Sequence, residues 1–388
     1  MIKKDLIHHP RYHLLIISVA FIAINMVLYH HLGVKVMSDS TRYIDWAENL
    51  WSSGLSTYQW RFWYISYVLF LAILLPLGLK GVIFFQVAIS SLACFAIYFL
   101  TVKLSSNKLT ALLASLMYLF WIEIPGWNMF ILTESLFTSM IVLTVFFAMK
   151  FNRINQLLCL LPLIAFTILI RPMGVTVLIA LGFFFYYHFN CHLNLTRLKK
   201  VSFISTGLLF LLVFFYFLLE GNPDVHFYYA RGQVVWGADQ MDFLKDNPWL
   251  VVDNSQVIYP DRSLTSTEKF FEFTLTNFSF QLELFSKKLL FFIIHIKPYY
   301  SLSHNLFIGF TLFPVYGFCI YGLATDRTNP GMKYFTISLF LLNALMTGLT
   351  VESWDGRFLI PTLPCIFIYA SIGFRKFVGR ISNSESFT

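Results

Sequence analysis

The chain has 388 residues, of which 57% are hydrophobic and only 12% charged, and its formal net charge is +8 at pH 7. A soluble domain carries about twice that charged fraction, so the composition excludes a soluble globular protein. Repeated runs of about 15–20 apolar residues predict an all-α polytopic membrane protein, because a helix satisfies its own backbone groups in lipid. The runs do not alternate apolar and polar residues, as the strands of a transmembrane β-barrel would.

The basic residues stand between the apolar runs, so the positive charge predicts membrane topology and no nucleic-acid partner. Two apolar stretches, 62–79 and 288–296, are not counted as spans, and the second is too short to cross. About ten transmembrane helices are predicted, over 12–31, 82–101, 109–125, 130–149, 157–171, 173–190, 201–219, 303–323, 334–350 and 358–375.

The stretch 62–79 decides the topology. If it crossed the membrane, Lys103, Lys150 and the other basic residues of the short loops would lie outside, against the positive-inside rule. We therefore predict an interfacial or re-entrant helix on the outer side and both termini in the cytoplasm. The predicted divisions are a catalytic transmembrane module over 1–219 with its first outer loop at 32–81, an extracytoplasmic lid with short interfacial helices over 220–302, and C-terminal helices with a cytoplasmic tail over 303–388.

The first outer loop carries an amphipathic helix that begins near Asp39. Its apolar face is predicted to hold Ile44, Ala47, Leu50 and Trp51, and its polar face Asp45, Asn49 and Ser52. Such a helix, lying flat on the bilayer, would hold Asp39 beside membrane-bound lipid. An Asp in that place can take a proton from an acceptor hydroxyl or amine. The alternative is that Asp39 only caps the helix.

The predicted topology places further ionisable residues on the outer side, at the edges of apolar spans. Ionisable side chains there cost free energy unless they are paired or functional. An Arg there can hold a phosphate with two parallel hydrogen bonds. Each residue also has a simpler explanation. Asp45 fits a solvated helix face, Arg61 can extend to the interface, Glu134 can pair with Arg171, Arg357 can pair with Glu352 or Asp355, and His304 fits an interfacial position.

The cytoplasmic segments contain no glycine pattern for a nucleotide, and the chain has no zinc spacing and no nucleophile elbow. We therefore expect no metal or other cofactor. Any chemistry is expected on the outer face, with a donor that is already in the bilayer.

Several short motifs occur in a family order. They are Asp39-Ser40-Thr41-Arg42-Tyr43, Arg61, Gln86, Leu132-Thr133-Glu134-Ser135-Leu136-Phe137, Arg171-Pro172 and Arg357-Phe358-Leu359-Ile360-Pro361. In this order the chain resembles the membrane-embedded C-type glycosyltransferases (GT-C). The branch is that of the dolichyl-phosphate-mannose–protein mannosyltransferases and the bacterial lipid A aminoarabinose transferase. The resemblance covers residues 10–190 and 350–372, while 220–302 matches nothing specific. Many relatives have a second acid where this chain has Ser40, and a Pro where it has Phe62.

The resemblance implies an inverting transfer of one sugar from a polyprenyl-phosphate carrier to a lipid, glycan or protein acceptor. It implies Asp39 as the base, basic residues around the departing phosphate and no metal. We expect this reaction on the extracytoplasmic face of a bacterial inner membrane. The candidate residues are Asp39 and Glu134 for catalysis, Arg61, Arg171 and Arg357 for the donor phosphate, and Tyr43, Asp45, Asp355 and His304 in support.

Two alternatives stay open at the level of the sequence. One is a polysaccharide polymerase or ligase that uses a pyrophosphate-linked glycan, with its important residues in the large outer segment. The other is a lipid-linked glycan flippase or transporter, which would need charges near the middle of the bilayer.

Overall fold

The computed structural model describes residues 9–50, 60–151, 156–193 and 225–385. Within these ranges the regular secondary structure is helical, and strand pairing is limited to three isolated bridges. The helices are α1 (Pro10–Leu32), α2 (Ser38–Glu48), α3 (Ile65–Leu74), α4 (Gly78–Ser105), α5 (Lys108–Phe120), α6 (Glu123–Gly126), α7 (Thr133–Ala148), α8 (Leu157–Ile168), α9 (Gly174–Leu193), α10 (Val225–Ala230), α11 (Ser266–Thr276), α12 (Phe278–Ile294), α13 (Leu302–Thr325), α14 (Pro330–Leu349) and α15 (Leu363–Glu385).

The described helices confirm an all-helical membrane protein. Four of them are long and apolar enough to cross a membrane, or five if the bent pair of Lys108–Phe120 and Glu123–Met129 is one span. The helices α7, α8 and α9 are apolar but shorter. The predicted number of ten spans goes beyond this finding, and the predicted span at 201–219 lies outside the described residues.

The apolar stretches predicted as an interfacial helix (62–79) and as the second span (82–101) follow each other almost without interruption. Helix α3 passes through a 3-10 turn at Leu75–Leu77 into α4, and Phe62–Ser105 forms one apolar helical stretch of 44 residues. The break falls at Pro76 and Gly78. Gly78 has a φ of 74°, which favours glycine, and a proline cannot donate a backbone hydrogen bond.

The contacts divide the described residues into two compact units. The described residues of the first unit fall within Met1–Phe189, Leu306–Leu342 and Ile360–Thr388, and those of the second within Asn190–Asn305 and Asn343–Leu359. In the first unit α4 packs against α5 and α7, α8 packs against α7, and α15 packs against α5. Nearly every face of α7 is buried, so this helix forms the centre of the first unit.

The second unit has a hydrophobic core of its own, which the sequence analysis did not predict. Residues Val234, Val235 and Leu250 pack there with Leu284 and Phe291 of α12. The predicted short helices are present as α10, α11 and α12. The backbone of Val235 also pairs in parallel with Glu352, so the segment after α14 belongs to this unit.

Candidate active site

The segment that follows α1 lies beside the segment that precedes α7. Helix α1 ends at Gly33, which has a φ of 60°. The next residues run beside 129–131: Lys35 N donates to Met129 O at 2.8 Å, and Ile131 N donates to Lys35 O at 3.0 Å. This bridge fixes the beginning of α2 beside the segment that leads into α7.

Helix α2 forms over Ser38–Glu48, as the apolar spacing predicts, and it packs against α3. Its buried residues include Ala47, and Leu50 follows in a buried position, whereas Asp45 and Asn49 are exposed. Ile44 is half-buried, and the aromatic Tyr43 is the residue that enters the core instead.

Asp39 lies in the first turn of α2, where the helix dipole favours a negative charge. Its carboxylate accepts a hydrogen bond from Arg42 at 2.7 Å, and both side chains are about half exposed, 40% for Asp39 and 50% for Arg42. The Arg42 guanidinium also lies over the ring of Trp46, 5.4 Å from its centroid. The arginine is therefore held over α2, and Asp39 stays accessible to a substrate.

Glu134 and Arg171 form a buried ion pair. Arg171 Nη1 lies 3.3 Å from Glu134 Oε1, and the residues are only 8% and 3% exposed. Glu134 is the second residue of α7, where the helix dipole again favours an acid. The guanidinium carbon of Arg171 lies 5.6 Å from the centroid of the Phe137 ring. The geometry thus realises the pair that the sequence analysis gave as one explanation for Glu134.

Arg171 stands in the turn between α8 and α9, and this turn is tight. Gly174 N donates to Arg171 O at 2.8 Å. A Cβ atom at Gly174 would lie only 2.0 Å from the carbonyl oxygen of Ile168, so only glycine fits. The boundary between the predicted spans 157–171 and 173–190 is therefore present as this turn.

Tyr43 is the buried aromatic residue of α2, about one helical turn after Asp39. Burial raises the pKa of Tyr43 well above its usual range; Tyr64 and the carboxylates of Glu134 and Asp39 add to the shift, and Arg171 opposes it. The ring of Tyr43 lies 5.2 Å from that of Tyr64 and 5.4 Å from that of Tyr67. Sequence reasoning missed Tyr64 and Tyr67, because an aromatic residue in an apolar run carries no signal of its own.

Gln86, which the motif order singled out, is a buried scaffold residue of this site. Its amide donates to Asn128 O at 3.0 Å and to Phe130 O at 2.9 Å, and it accepts from the Tyr67 hydroxyl at 3.3 Å. Asn128 in turn donates to the Asn25 side chain at 2.9 Å. This network connects α1, α3 and α4 to the segment that precedes α7.

The remaining predicted site residues are placed elsewhere or are less defined. Arg61 lies in the 3-10 turn Trp60–Tyr64, and its side chain is outside the described residues, as are Trp51 and Ser52. Three others belong to the second unit. Arg357 Nη2 lies 3.7 Å from Asp355 Oδ2, and the ring of His304 stacks on Tyr300 at 4.4 Å.

Glu352 pairs with a residue that sequence reasoning missed, Lys297. Lys297 Nζ lies 3.0 Å from Glu352 Oε1, and both side chains are fully buried. The same ammonium also donates to the carbonyls of Ser353 and Trp354. This cluster fixes the backbone that leads to Asp355 and Arg357.

The described residues include no group of three or more His, Cys, Asp or Glu side chains that could hold a metal ion. Comparisons with protein-family models, with curated proteins and with solved structures find no match for this chain. The resemblance to the C-type glycosyltransferases therefore rests on the sequence motifs alone.

Proposed function

We propose that the protein is an inverting glycosyltransferase that moves one sugar from a polyprenyl-phosphate donor to an acceptor on the extracytoplasmic side of a bacterial inner membrane. One observation carries the proposal. An accessible carboxylate, Asp39, lies in the first turn of α2, and the Lys35 bridge holds the start of that helix beside the segment that leads to the buried Glu134–Arg171 pair. A base and a cation in one unit of a protein with membrane-length helices suit a lipid phosphate donor.

Asp39 is the proposed base. It takes the proton of the acceptor hydroxyl or amine while the acceptor atom attacks the anomeric carbon. The bond between that carbon and the phosphate oxygen breaks, and polyprenyl phosphate leaves with the bonding electron pair. A single displacement inverts the configuration of the sugar. Arg42, which donates to Asp39 at 2.7 Å, orients the carboxylate.

The leaving phosphate gains negative charge during this displacement, and a cation placed beforehand stabilises that charge. Arg171 is the best defined candidate of the three predicted arginines, because its position is fixed by Glu134. Glu134 accordingly acts as a positioning residue for Arg171 and does not transfer the proton. Arg61 and Arg357 stay candidates for further phosphate contacts.

A single-turnover assay tests the assignment of the base. Purified protein in lipid receives labelled polyprenyl-phosphate sugars, with a membrane extract as the acceptor. We expect Asp39→Asn to abolish release of label from the carrier, and Glu48→Gln, an exposed acid of the same helix, to leave it unchanged. Transfer by a well-folded Asp39→Asn protein would refute the base.

The same assay separates the alternatives. Release of label only from pyrophosphate-linked glycans would replace the proposal by a polymerase or ligase. Donor binding without turnover in the wild-type protein would replace it by a flippase or transporter. A matching loss of turnover in Asp39→Asn and Glu48→Gln would show that helix charge, and not one base, matters.

A further inference from the structure

A cavity of the first unit lies between the C-terminal ends of α4 and α7. It has a volume of about 300 Å³ and is lined by Phe99, Leu100, Lys103, Phe146, Met149 and Lys150. None of these residues belongs to the candidate active site. The topology predicted from the charges places both lysines on the cytoplasmic side, away from the proposed chemistry.

Lys103 and Lys150 are the charged residues of the cavity lining. Lys103 Nζ donates to the carbonyl of Met149, the residue that follows α7. Lys150 Nζ lies 4.2 Å from the centroid of the Phe146 ring. Both lysines therefore line the same cavity, each held by a contact of its own. Two like charges that share one cavity repel each other, and a bound anion relieves that repulsion.

The rest of the wall is apolar. The rings of Phe99 and Phe146 lie 6.5 Å apart, and Leu100 and Met149 complete the lining. A free phosphate ion gains nothing from these side chains, whereas an acyl chain makes van der Waals contacts with them. Phe99 and Phe147 are also exposed on the outside of their helices, as lipid-facing residues are.

We infer that this cavity binds an anionic phospholipid, with the headgroup phosphate between Lys103 and Lys150 and an acyl chain against Phe99 and Phe146. Basic pockets between membrane helices on the cytoplasmic side are suited to such headgroups. The inference does not depend on the proposed function, because it uses neither Asp39 nor the Glu134–Arg171 pair.

The test measures lipid binding to the full-length protein in detergent. Native mass spectrometry would count bound phosphatidylglycerol, with phosphatidylcholine as the neutral lipid and inorganic phosphate as the free anion. We expect phosphatidylglycerol to bind in preference to phosphatidylcholine. We also expect millimolar phosphate not to displace it.

Lys150→Met should weaken phosphatidylglycerol binding about fivefold, the effect of losing one lysine near a phosphate. Lys108→Met is the matched control, because Lys108 is an exposed lysine on the same predicted side that does not line the cavity. Phe146→Leu, which keeps both charges, should weaken lipid binding without changing the salt dependence. The melting temperature of each variant shows that it is folded.

Three results would overturn the inference. Equal losses in Lys150→Met and Lys108→Met would mean a diffuse attraction between basic loops and anionic lipid. Displacement by inorganic phosphate would mean an anion site without a lipid chain. Equal binding of phosphatidylcholine and phosphatidylglycerol would mean that the two lysines do not read the headgroup.

Discussion

Arg171 reaches across the first unit to Glu134 at 3.3 Å, and water is largely excluded from both side chains. A buried ion pair contributes little net stability, but removal of one partner leaves an uncompensated charge. The pair therefore holds the Arg171 guanidinium in place. A substitution of only one of the two residues would lower the stability of the fold.

The first prediction separates these two effects. Arg171→Met alone should lower the free energy of unfolding by about 3–5 kcal/mol, because Glu134 remains buried and charged. The double variant Glu134→Gln with Arg171→Met should recover most of that loss. Thermal unfolding in detergent measures both. If the pair positions a phosphate ligand, the recovered double variant is still inactive; recovery of activity would contradict this role for Arg171.

A second prediction concerns Gly174. An added Cβ atom would collide with the carbonyl oxygen of Ile168 at 2.0 Å, and backbone cannot move away as the end of a side chain can. Gly174→Ala should therefore shift the turn that carries Arg171 and lower both stability and activity. The control is Gly182→Ala in the same helix, where nothing lies within 4 Å of the added atom.

The two alanine variants should change the melting temperature in opposite directions. Gly182→Ala should raise the melting temperature slightly, because alanine is favoured over glycine in a helix by about 1 kcal/mol. Melting temperatures and single-turnover rates of the two proteins provide the comparison. Equal melting temperatures and rates for the two variants would show that the turn at Arg171 can shift without loss of stability or activity.

The sequence predicted those features that depend on neighbours in the chain. The helices α1, α2 and α7 follow from local apolar runs and spacing, and Glu134 and Arg171 both stand next to apolar helices, where a partner is required. The partner of Glu352, in contrast, could not be predicted from the sequence. Lys297 and Glu352 are 55 positions apart, and no periodicity connects them.

The core of the second unit could not be predicted from the sequence either. Its residues between Val234 and Val252 lie in short turns and isolated bridges, so their sequence has no helical or strand period that would indicate burial. Tyr43 is a similar case. The helical spacing placed Ile44 on the buried face of α2, but an aromatic ring that contacts Tyr64 and Tyr67 fills the space instead.

A third prediction uses Lys288 of α12. Burial lowers the pKa of Lys288 to about 7 from its ordinary value of 10.5. Its ammonium donates to Thr350 O at 2.5 Å and lies 5.0 Å from the centroid of the Tyr229 ring. Between pH 7 and 10.5 the unfolded chain keeps the proton that the folded chain has lost. Stability should therefore rise with pH in this window, by at most about 1.4 kcal/mol per unit.

Lys288→Met should abolish that rise. The variant should be more stable than the wild type at pH 6, and the difference should shrink by pH 9. Lys287→Met is the control, because Lys287 pairs with Glu283 at the surface of the same helix. Melting temperatures at pH 6, 7.5 and 9 test the prediction, and a gap that does not change with pH would contradict it.

The last prediction concerns an apolar stripe on α11 and α12. Phe271, Leu275, Phe278 and Leu282 are each at least half exposed and follow one another at intervals of four, three and four residues. The two helices meet at Asn277, whose φ of −107° and ψ of 38° are not helical. Within each helix the exposed pair lies on the face opposite a buried side chain, Phe273 in α11 and Leu284 in α12.

A helix with one buried apolar face and a second, exposed one suits the membrane interface, as the sequence analysis predicted for this outer segment. Spin labels at Leu275→Cys and, as a control, at exposed Glu272→Cys test this in a background without the five native cysteines. In lipid we expect the label at 275 to be relaxed mainly by oxygen and that at 272 by a water-soluble nickel chelate. Equal access of the chelate to both would place the stripe in water and refute the interfacial position.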